Sequence, residues 1–363
     1  MVFYTSAFSV KAQVSFKGYG HLFTEPLQYN IFKVNDSITV DGKLNEASWL
    51  ATQWSADFKD IEGGKKAAPI YRTRFKMLWD QSHLYIAAEL EDPAIWANLT
   101  QRDAVVFHDN DFEVFIDPDG DAQNYFEIEI NAVKNVFDLF LTKPYKDGGS
   151  ALINWDAASL KVGVDIDGTL NKPNDKDKKW TIEMSLPFRS VSIGNNIQIP
   201  KDKTIWRINF SRVEWDTEVR NGVYKKITNP ATGKNLPEHN WVWSPQGVIN
   251  MHLPERWGYV QFLNEKPLGN KSDIQLPATE QLKKLLWLLY YKQKNYYRDH
   301  SHFTSSLDSL DFPAGSFENS GRSYTVQLEA TANLFQATLK DNISGEIWRI
   351  NQVGELSKEV KRK

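Results

Sequence analysis

The sequence predicts a mainly β protein, in which an antiparallel, jelly-roll-like β-sandwich is followed by a small C-terminal α+β appendage. Three observations support this class. Between residues 38 and 263, short segments alternate apolar and polar residues with the period of two that half-buried strands require. Turn clusters such as residues 117–120 separate these segments. After residue 264 the composition changes to Pro, Gly, Asn, Lys and Ser, and a helical pattern follows.

The individual elements follow in chain order from the same patterns. One helical turn is expected over residues 45–51, with Asn45 as its N-cap, because an Asn side chain accepts a free amide hydrogen there. Residues 74–79 and 83–90 predict a hairpin. Further strands of the sandwich are expected over 111–117, 125–131, 180–186 and 206–210. The appendage is expected to hold a helix over 278–299 and strands over 324–330, 334–340 and 346–352.

These elements predict four parts of the chain: an N-terminal arm (1–33), the sandwich (34–264), a linker (265–277) and the appendage (278–363). The arm is either a floppy segment or the remnant of an export signal, since its apolar stretch lacks the basic residues that precede a signal-peptide core. The longest apolar run, residues 285–291, is much shorter than the roughly 20 residues of a membrane helix. We therefore expect no membrane span.

Composition excludes several classes of function. The chain has 43 Lys and Arg against 46 Asp and Glu, a net charge of −3, which argues against a basic nucleic-acid platform. The absence of Cys excludes disulfides, a thiol nucleophile and Cys-ligated zinc or iron–sulfur sites. There is no G-x-S-x-G, H-E-x-x-H, Walker or G-x-G-x-x-G motif. No catalytic residue is predicted.

Seven segments, in order, resemble the successive motifs of the family 9 carbohydrate-binding module. They begin with VDGKLNEASW (40–49), LWDQSHLYIAAELEDP (78–93) and DNDFEVFIDPDGD (109–121). They continue with NYFEIEIN (124–131), KKWTIEMSLPF (178–188), IWRINFSRV (205–213) and PERWGYVQF (254–262). The resemblance implies a non-catalytic β-sandwich that binds an oligo- or polysaccharide and carries structural calcium. It also leads us to expect an exported bacterial protein, periplasmic or extracellular, that supports polysaccharide capture or degradation.

The resemblance also implies a sugar site, which this sequence matches in part. Modules of this family hold the sugar between two Trp side chains. Phe107 stands at the first of these positions, and Met251 lies near the second. Glu113 and Asn131 match polar contact positions, whereas Glu129 stands where the family has an Arg.

The alternation of the strands leads to the same face independently. A set of polar side chains points opposite to the apolar rows of the predicted strands, and comprises Glu113, Glu127, Glu129, Asn131, Arg207 and Asn209. Carboxylates and amides of this kind suit sugar hydroxyls. An ordinary solvated sheet face would produce the same pattern, because alternation alone places polar residues outward.

The segment 240–258 is rich in aromatic residues and is the second candidate region. We predict that Trp243, Met251, His252 and Arg256 contribute to a sugar-binding rim, with packing inside the sandwich as the alternative. Trp257 is expected to fill the core because it starts a strand. Trp155 is a further candidate ring platform or core residue.

A calcium site is predicted at Asp117, Asp119 and Asp121, whose carboxylates alternate around a Gly-containing turn. A plain Asp/Gly β-turn would have the same sequence.

Three other functions stay open at this point. A glycan-cleaving enzyme would need two carboxylates across a cleft, for which Glu113, Glu129 and Glu183 are available. A structural or assembly adaptor would bind a protein partner through the appendage. A haem electron-transfer domain would use Met and His axial ligands, either Met251 with His252 or Met77 with His108.

Overall fold

The structure is a computed structural model that describes residues 14–194, 197–265 and 274–359. The expected export-signal remnant in residues 1–13 and most of the expected linker lie outside the described residues. Two compact units divide the chain: one spans Thr24–Ile274, and the other combines the residues up to Phe23 with those from Gln275 onward.

In the described residues of the unit Thr24–Ile274 there are fifteen strands and one short α-helix, α1 (Ala47–Ala51). The strands are β1 (Gln28–Lys33), β2 (Lys59–Asp60), β3 (Thr73–Trp79), β4 (His83–Glu91), β5 (Asp111–Asp117), β6 (Tyr125–Asn131), β7 (Val136–Leu141), β8 (Ala151–Leu152), β9 (Lys161–Asp167), β10 (Lys179–Pro187), β11 (Ile205–Glu214), β12 (Thr217–Arg220), β13 (Val223–Lys226), β14 (His239–Val242) and β15 (Gly258–Leu263).

Thirteen of these strands form one sheet in the order β8-β7-β6-β5-β11-β15-β1-β3-β4-β10-β9, with β14 paired to β11 and β2 to β14. The pairs are antiparallel except at β1, which runs parallel to both β15 and β3. The sheet curls until its two halves face each other, since the rings of Phe75 on β3 and Phe210 on β11 lie 4.0 Å apart. The mainly β sandwich class is confirmed, and the sheet is mixed at β1.

Strand β1 lies inside the range that the sequence assigned to a floppy arm. Its backbone pairs with β15 over Gln28–Phe32 and with β3 at Phe32 and Lys33, so it joins the two halves of the sheet. Its side chains alternate only weakly in polarity, and its strand partners are distant in sequence.

The inner faces of the two halves enclose the main apolar core. The alternating rows that predicted the strands are fully or nearly fully buried there, and include Phe112, Val114, Ile116, Phe126, Ile128, Ile130, Trp180, Ile182, Met184, Trp206 and Ile208. Gly258 is required by this packing, because a Cβ at that position would lie 2.2 Å from the Trp243 ring. Trp243 is therefore a core residue and not part of a sugar-binding rim.

The outer face of β5, β6 and β7 is also covered. A second cluster packs against it and joins Phe115 and Tyr125 of the strands to Val106 and Trp257 of two loops. The polar residues of this face therefore do not project into open solvent, as the alternation had suggested.

The helix α1 begins at Ala47, with Glu46 and not Asn45 in the N-cap position. It buries Trp49, whose indole Nε1 donates a hydrogen bond of 2.7 Å to Glu183 Oε1. The other oxygen of Glu183 accepts hydrogen bonds from the backbone N–H groups of Asp41 and Gly42. Glu183 thus anchors the segment before α1, which explains its position without any catalytic role.

The second unit contains a long helix, α2 (Ala278–His300), and a five-stranded antiparallel sheet in sequential order. Its strands are β16 (Ser316–Asn319), β17 (Arg322–Ala330), β18 (Phe335–Asp341), β19 (Ile347–Asn351) and β20 (Leu356–Lys358). The predicted appendage of a helix followed by a small sheet is confirmed. Residues of the N-terminal segment belong to this unit, since the Asn295 side chain donates a 2.7 Å hydrogen bond to the Tyr19 hydroxyl. None of the helices that the structure describes has the length and apolar character of a membrane span.

Candidate functional site

Four carboxylates gather on the outer face of β5 and β6. Glu113 lies directly opposite Glu129 in the antiparallel register, and such neighbours have Cβ atoms about 4.5–5.5 Å apart. Asp111, Glu113 and Glu129 each offer an oxygen, and these oxygens lie within 4.8 Å of one another. Glu127 shares the face because it lies two residues before Glu129. We call these four residues the acidic cluster.

The acidic cluster is buried and carries no internal counter-charge. Its members are between 0% and 6% exposed. Among the described residues, no Lys or Arg forms an ion pair with any of the four carboxylates. The nearest candidate is His252, whose Nε2 lies 4.0 Å from Glu127 Oε2. Because burial lowers the pKa of His252 to about 4, this imidazole is neutral at neutral pH.

Burial and mutual repulsion keep protons on the cluster. Burial raises the pKa of Glu113 to about 7. It raises the pKa values of Asp111, Glu127 and Glu129 well above their usual range, and the neighbouring carboxylates add to the rise. Hydrogen bonds oppose the rise, from Ser211 to Glu113 and between Glu129 and Glu127. Glu129 Oε2 accepts one from the Phe107 N–H at 3.0 Å, and Asp111 Oδ1 accepts one from the Val213 N–H at 3.3 Å.

Aromatic side chains surround the cluster. Phe107 is half-buried in the short helix Val106–His108, and its backbone contacts Glu129. Tyr145 is 47% exposed, and its ring lies 4.5 Å from the His252 ring in an edge-on arrangement. Burial, with the charges of Glu127 and Glu129, raises the pKa of Tyr145 to about 12. Tyr145 therefore lies within electrostatic range of the cluster.

Sequence reasoning did not identify Tyr145. It follows β7 in the short helix Tyr145–Asp147, and no alternation marks it. The remaining signal is an aromatic residue in a Pro-containing loop, which is too common to be specific.

Lys226 and Glu238 border the same face and were also missed. Lys226 Nζ lies 3.3 Å from the centre of the Trp215 ring. Burial lowers the pKa of Lys226 to about 8, against the opposing charges of Asp109 and Glu238. Glu238 in turn raises the pKa of Glu113, so its carboxylate lies within electrostatic range of the cluster.

Two predicted contact residues, Asn131 and Asn209, hold loops in place. The Asn131 amide donates to the Leu99 carbonyl at 2.9 Å and to Asp109 Oδ2 at 3.0 Å, and its oxygen accepts from the Asn135 N–H. Asn209 makes a reciprocal pair with the backbone of Ser244, at 2.9 and 3.0 Å. Both amides have their main hydrogen bonds inside the protein.

Arg207 and Arg256, which were also predicted to contact the sugar, both make contacts inside the protein. Arg207 stacks on the Tyr259 ring at 3.9 Å and donates to the Glu255 carbonyl. Arg256 is 4% exposed and donates to the Thr24 carbonyl at 2.8 Å.

Met251 lies beside the apolar cluster that contains Trp257 and covers the outer face of β5, β6 and β7. Met251 packs against that cluster, and its carbonyl accepts a hydrogen bond from Trp257 Nε1 at 2.9 Å.

Trp155 packs on Phe126 of the main core. Met77 is buried in that core while His108 is exposed, so the two do not face a common haem. Of the predicted loop residues, His252 is the one that contacts the acidic cluster.

The turn after β5 satisfies much of its own charge. Asp117 accepts hydrogen bonds from the backbone of Gly120 at 2.9 Å and of Ala122 at 3.0 Å, and Asp121 accepts one from Gln123 at 2.8 Å. Oxygens of Asp117, Asp119 and Asp121 still come within 4.8 Å of one another. Calcium binding by this turn stays a prediction.

Comparison with known proteins gives one family match. The family model "Carbohydrate family 9 binding domain-like" matches residues 40–227. Among solved structures, a protein from Bacteroides uniformis ATCC 8492, described as a candidate carbohydrate-binding protein, is 15% identical with a TM-score of 0.47. That alignment covers 66% of this chain and 100% of the other. A family 9 module from Caldicellulosiruptor kristjanssonii, solved with cellotriose, is 14% identical with a TM-score of 0.40, and covers 67% and 100%. No curated protein matches the chain.

Proposed function

Because the chain belongs to the carbohydrate family 9 binding domain-like family, we propose that it binds an oligo- or polysaccharide, without cleaving it, over the acidic cluster. The observation that carries this proposal is the position of Phe107 and Tyr145. The Phe107 N–H donates a hydrogen bond to Glu129, and the Tyr145 ring packs on His252, whose Nε2 lies 4.0 Å from Glu127 Oε2.

The chemistry of this arrangement suits a sugar. Aromatic rings pack against the C–H faces of a pyranose, while carboxyl groups exchange hydrogen bonds with its hydroxyls. Tyr145 provides an aromatic ring beside His252, the residue that follows Met251, which stands near the family's second Trp position. Asn131 and Asn209 support the loops of the site, which accounts for their position without contact to the sugar.

We favour binding over hydrolysis because of the charge state of the site. A retaining glycosidase needs one ionised carboxylate as nucleophile and one protonated acid. Burial raises the pKa of every carboxyl group in the acidic cluster, to about 7 for Glu113, so an ionised nucleophile is disfavoured below neutral pH, and no ion pair with Lys or Arg among the described residues opposes this. An assay for reducing-sugar release should give no signal above a blank for any glycan that binds.

Export and a role in polysaccharide capture belong to the same proposal. Membership of a carbohydrate-binding family supports both. Fractionation of cells that express the native gene, followed by immunodetection, should find the protein outside the cytoplasm.

A glycan array followed by calorimetry tests the binding site. With a saccharide identified on the array, Phe107→Ala and Tyr145→Ala should each weaken binding about tenfold, or about 1.4 kcal/mol. Glu113→Gln should weaken it by a similar factor if its carboxyl group accepts a sugar hydroxyl. The matched control is Tyr297→Ala, which removes an aromatic ring that is 38% exposed in α2. Wild-type affinity in all three site variants, with folded proteins, would contradict the proposed location.

A further inference from the structure

We propose that the carboxylates of Asp111, Glu113 and Glu129 together bind one Ca²⁺ ion beneath Phe107 and Tyr145, the two residues that we call the aromatic rim. This site is separate from the predicted calcium turn at residues 117–121. It goes beyond saccharide binding, because the three carboxylates can bind the ion when no saccharide is present.

The geometry suits one shared cation. An oxygen from each of the three residues lies within 4.8 Å of the others. Calcium binds oxygens at about 2.3–2.6 Å, so ligands on opposite sides of the ion can be roughly 4.6–5.2 Å apart. Mg²⁺ binds at about 2.0–2.1 Å and requires a tighter octahedron. The three residues offer only oxygen, which disfavours zinc and copper relative to hard cations.

Unpartnered oxygens at the site support a ligand independently. Asp111 Oδ2 is fully buried and has no hydrogen-bond partner among the described residues. The same holds for Glu127 Oε2, on a fourth carboxylate outside the group of three. A buried polar atom without a partner destabilises the fold, and more strongly when it is charged. A bound cation would remove this cost for Asp111 and would reduce it for Glu127 through attraction.

The charge of the neighbourhood points the same way. Four buried carboxylates lie together, and His252, the basic group that lies in ion-pair range of them in the part of the chain that the structure describes, is neutral at neutral pH. Lys226, on the border, lies against the Trp215 ring and has no ion pair with the cluster among the described residues. A divalent ion would displace protons from these carboxyl groups and would itself supply the positive charge that the ionised cluster needs.

One consequence rests on the proposed function. If the saccharide lies between Phe107 and Tyr145, it covers the cation, and saccharide hydroxyls can complete the coordination shell. Removal of Ca²⁺ should then weaken saccharide binding at least tenfold. Failure of this effect alone would leave the cation site intact, because cation binding is measured without saccharide.

Calorimetry on EDTA-treated full-length protein, titrated with CaCl₂ and no saccharide, tests the site. Wild type should bind Ca²⁺, and its melting temperature should rise by several degrees in Ca²⁺. Glu129→Gln keeps the side-chain shape and should weaken Ca²⁺ binding at least tenfold, as should Glu113→Gln. The matched control, Asp119→Asn, removes a carboxylate from the turn at 117–121 and should leave this binding event unchanged.

Terbium provides a second readout that does not depend on melting behaviour. Tb³⁺ should bind near Trp215, whose indole donates to the Phe107 carbonyl, and should show luminescence that is sensitised by Trp and displaced by Ca²⁺. Absence of Ca²⁺ binding in wild type would overturn the proposal. So would loss of all binding in Asp119→Asn together with full binding in both Glu variants, because the calcium would then belong to the turn.

Discussion

Two groups of buried carboxylates lie in the same unit, and they differ in whether the chain supplies a positive charge. In the first group, Asp92 and Glu214 lie beside Arg212, which is 0% exposed. The Arg212 Nη2 atom lies 2.7 Å from Glu214 Oε2 and 3.7 Å from Asp92 Oδ2. Arg212 Nη1 also donates to the Glu91 carbonyl at 2.8 Å. The second group is the acidic cluster, which has no Lys or Arg partner within the ranges that the structure describes.

The first group comes close to neutrality by itself. Burial raises the pKa of Glu214 to about 8, although the positive charge of Arg212 opposes the rise. Burial also raises the pKa of Asp92. With Glu214 largely protonated at neutral pH, Arg212 supplies one positive charge against at most one carboxylate, that of Asp92. Among the described residues, an arginine therefore balances the charge of the buried acids that are structural. The buried acids beneath the aromatic rim have no such balance, and a ligand can supply the positive charge there.

The largest expected effect comes from replacing Arg212, the buried positive charge of the first group. Arg212→Met should lower the free energy of unfolding by about 3–5 kcal/mol, because it leaves Asp92 and Glu214 buried without their partner. Urea denaturation measures this. In calcium-free buffer, Glu129→Gln should not lower stability, because the amide resembles the protonated acid that burial favours and can still accept the hydrogen bond from the Phe107 N–H. If both variants destabilise the protein equally, the two groups do not differ as described.

Dependence on pH gives the next effect. The folded-state pKa of Glu214, about 8, lies above that of an unfolded glutamate, so the folded form binds its proton more tightly. This contribution to stability is fully present below about pH 4.5 and is lost as pH rises through about 8. Glu214→Gln mimics the protonated form and should reduce the fall in stability with pH by up to about 1.4 kcal/mol per pH unit. The same slope in wild type and variant, from urea denaturation between pH 5 and 9, would contradict the assignment.

A smaller effect should follow from a single hydroxyl at the rim. Tyr145→Phe keeps the ring that packs on His252 but removes a group within range of Glu127 and Glu129. Saccharide affinity should fall about threefold to tenfold, less than in Tyr145→Ala, because a net hydrogen bond contributes about 0.5–1.5 kcal/mol. Calorimetry of the two variants side by side measures the difference. Equal losses would assign the whole contribution to the hydroxyl.

The smallest effect is expected at the turn after β5. Asp119→Asn should change the free energy of unfolding in calcium-free buffer by no more than about 0.5 kcal/mol, as is usual for a surface substitution. Backbone hydrogen bonds to Asp117 and Asp121 hold the turn without it. A larger loss in the free energy of unfolding, measured by thermal melting in calcium-free buffer, would show that Asp119 has a structural role.

The sequence predicted the inner face of the sandwich well and the outer face poorly. Rows such as Phe112, Val114 and Ile116 lie in the core as their alternation requires. Alternation states only that the intervening residues point the other way. It does not state whether water or a loop lies there. Loops that hold Val106 and Trp257 cover that face, so Asn131 and Asn209 became loop anchors and the four acids became a buried cluster.

The aromatic rim of Phe107 and Tyr145 could not be predicted from the alternation of the strands, for a different reason. Phe107 was identified through a family resemblance, but Tyr145 reaches the cluster only because the loop after β7 folds against His252. Such contacts depend on loop geometry, and a local periodicity carries no information about it.

Hydrogen–deuterium exchange of the wild-type protein, with and without a saccharide identified on the array, tests most directly whether the acidic cluster marks the binding face. We predict slower exchange in peptides that cover residues 105–113 and 143–148, because the saccharide contacts Phe107 and Tyr145. Residues 214–224, which help to line a cavity of about 220 Å³ beside Asp92 and Glu214, should be unchanged. Protection confined to residues 214–224, with both rim segments unchanged, would contradict the account and place the ligand beside the balanced group.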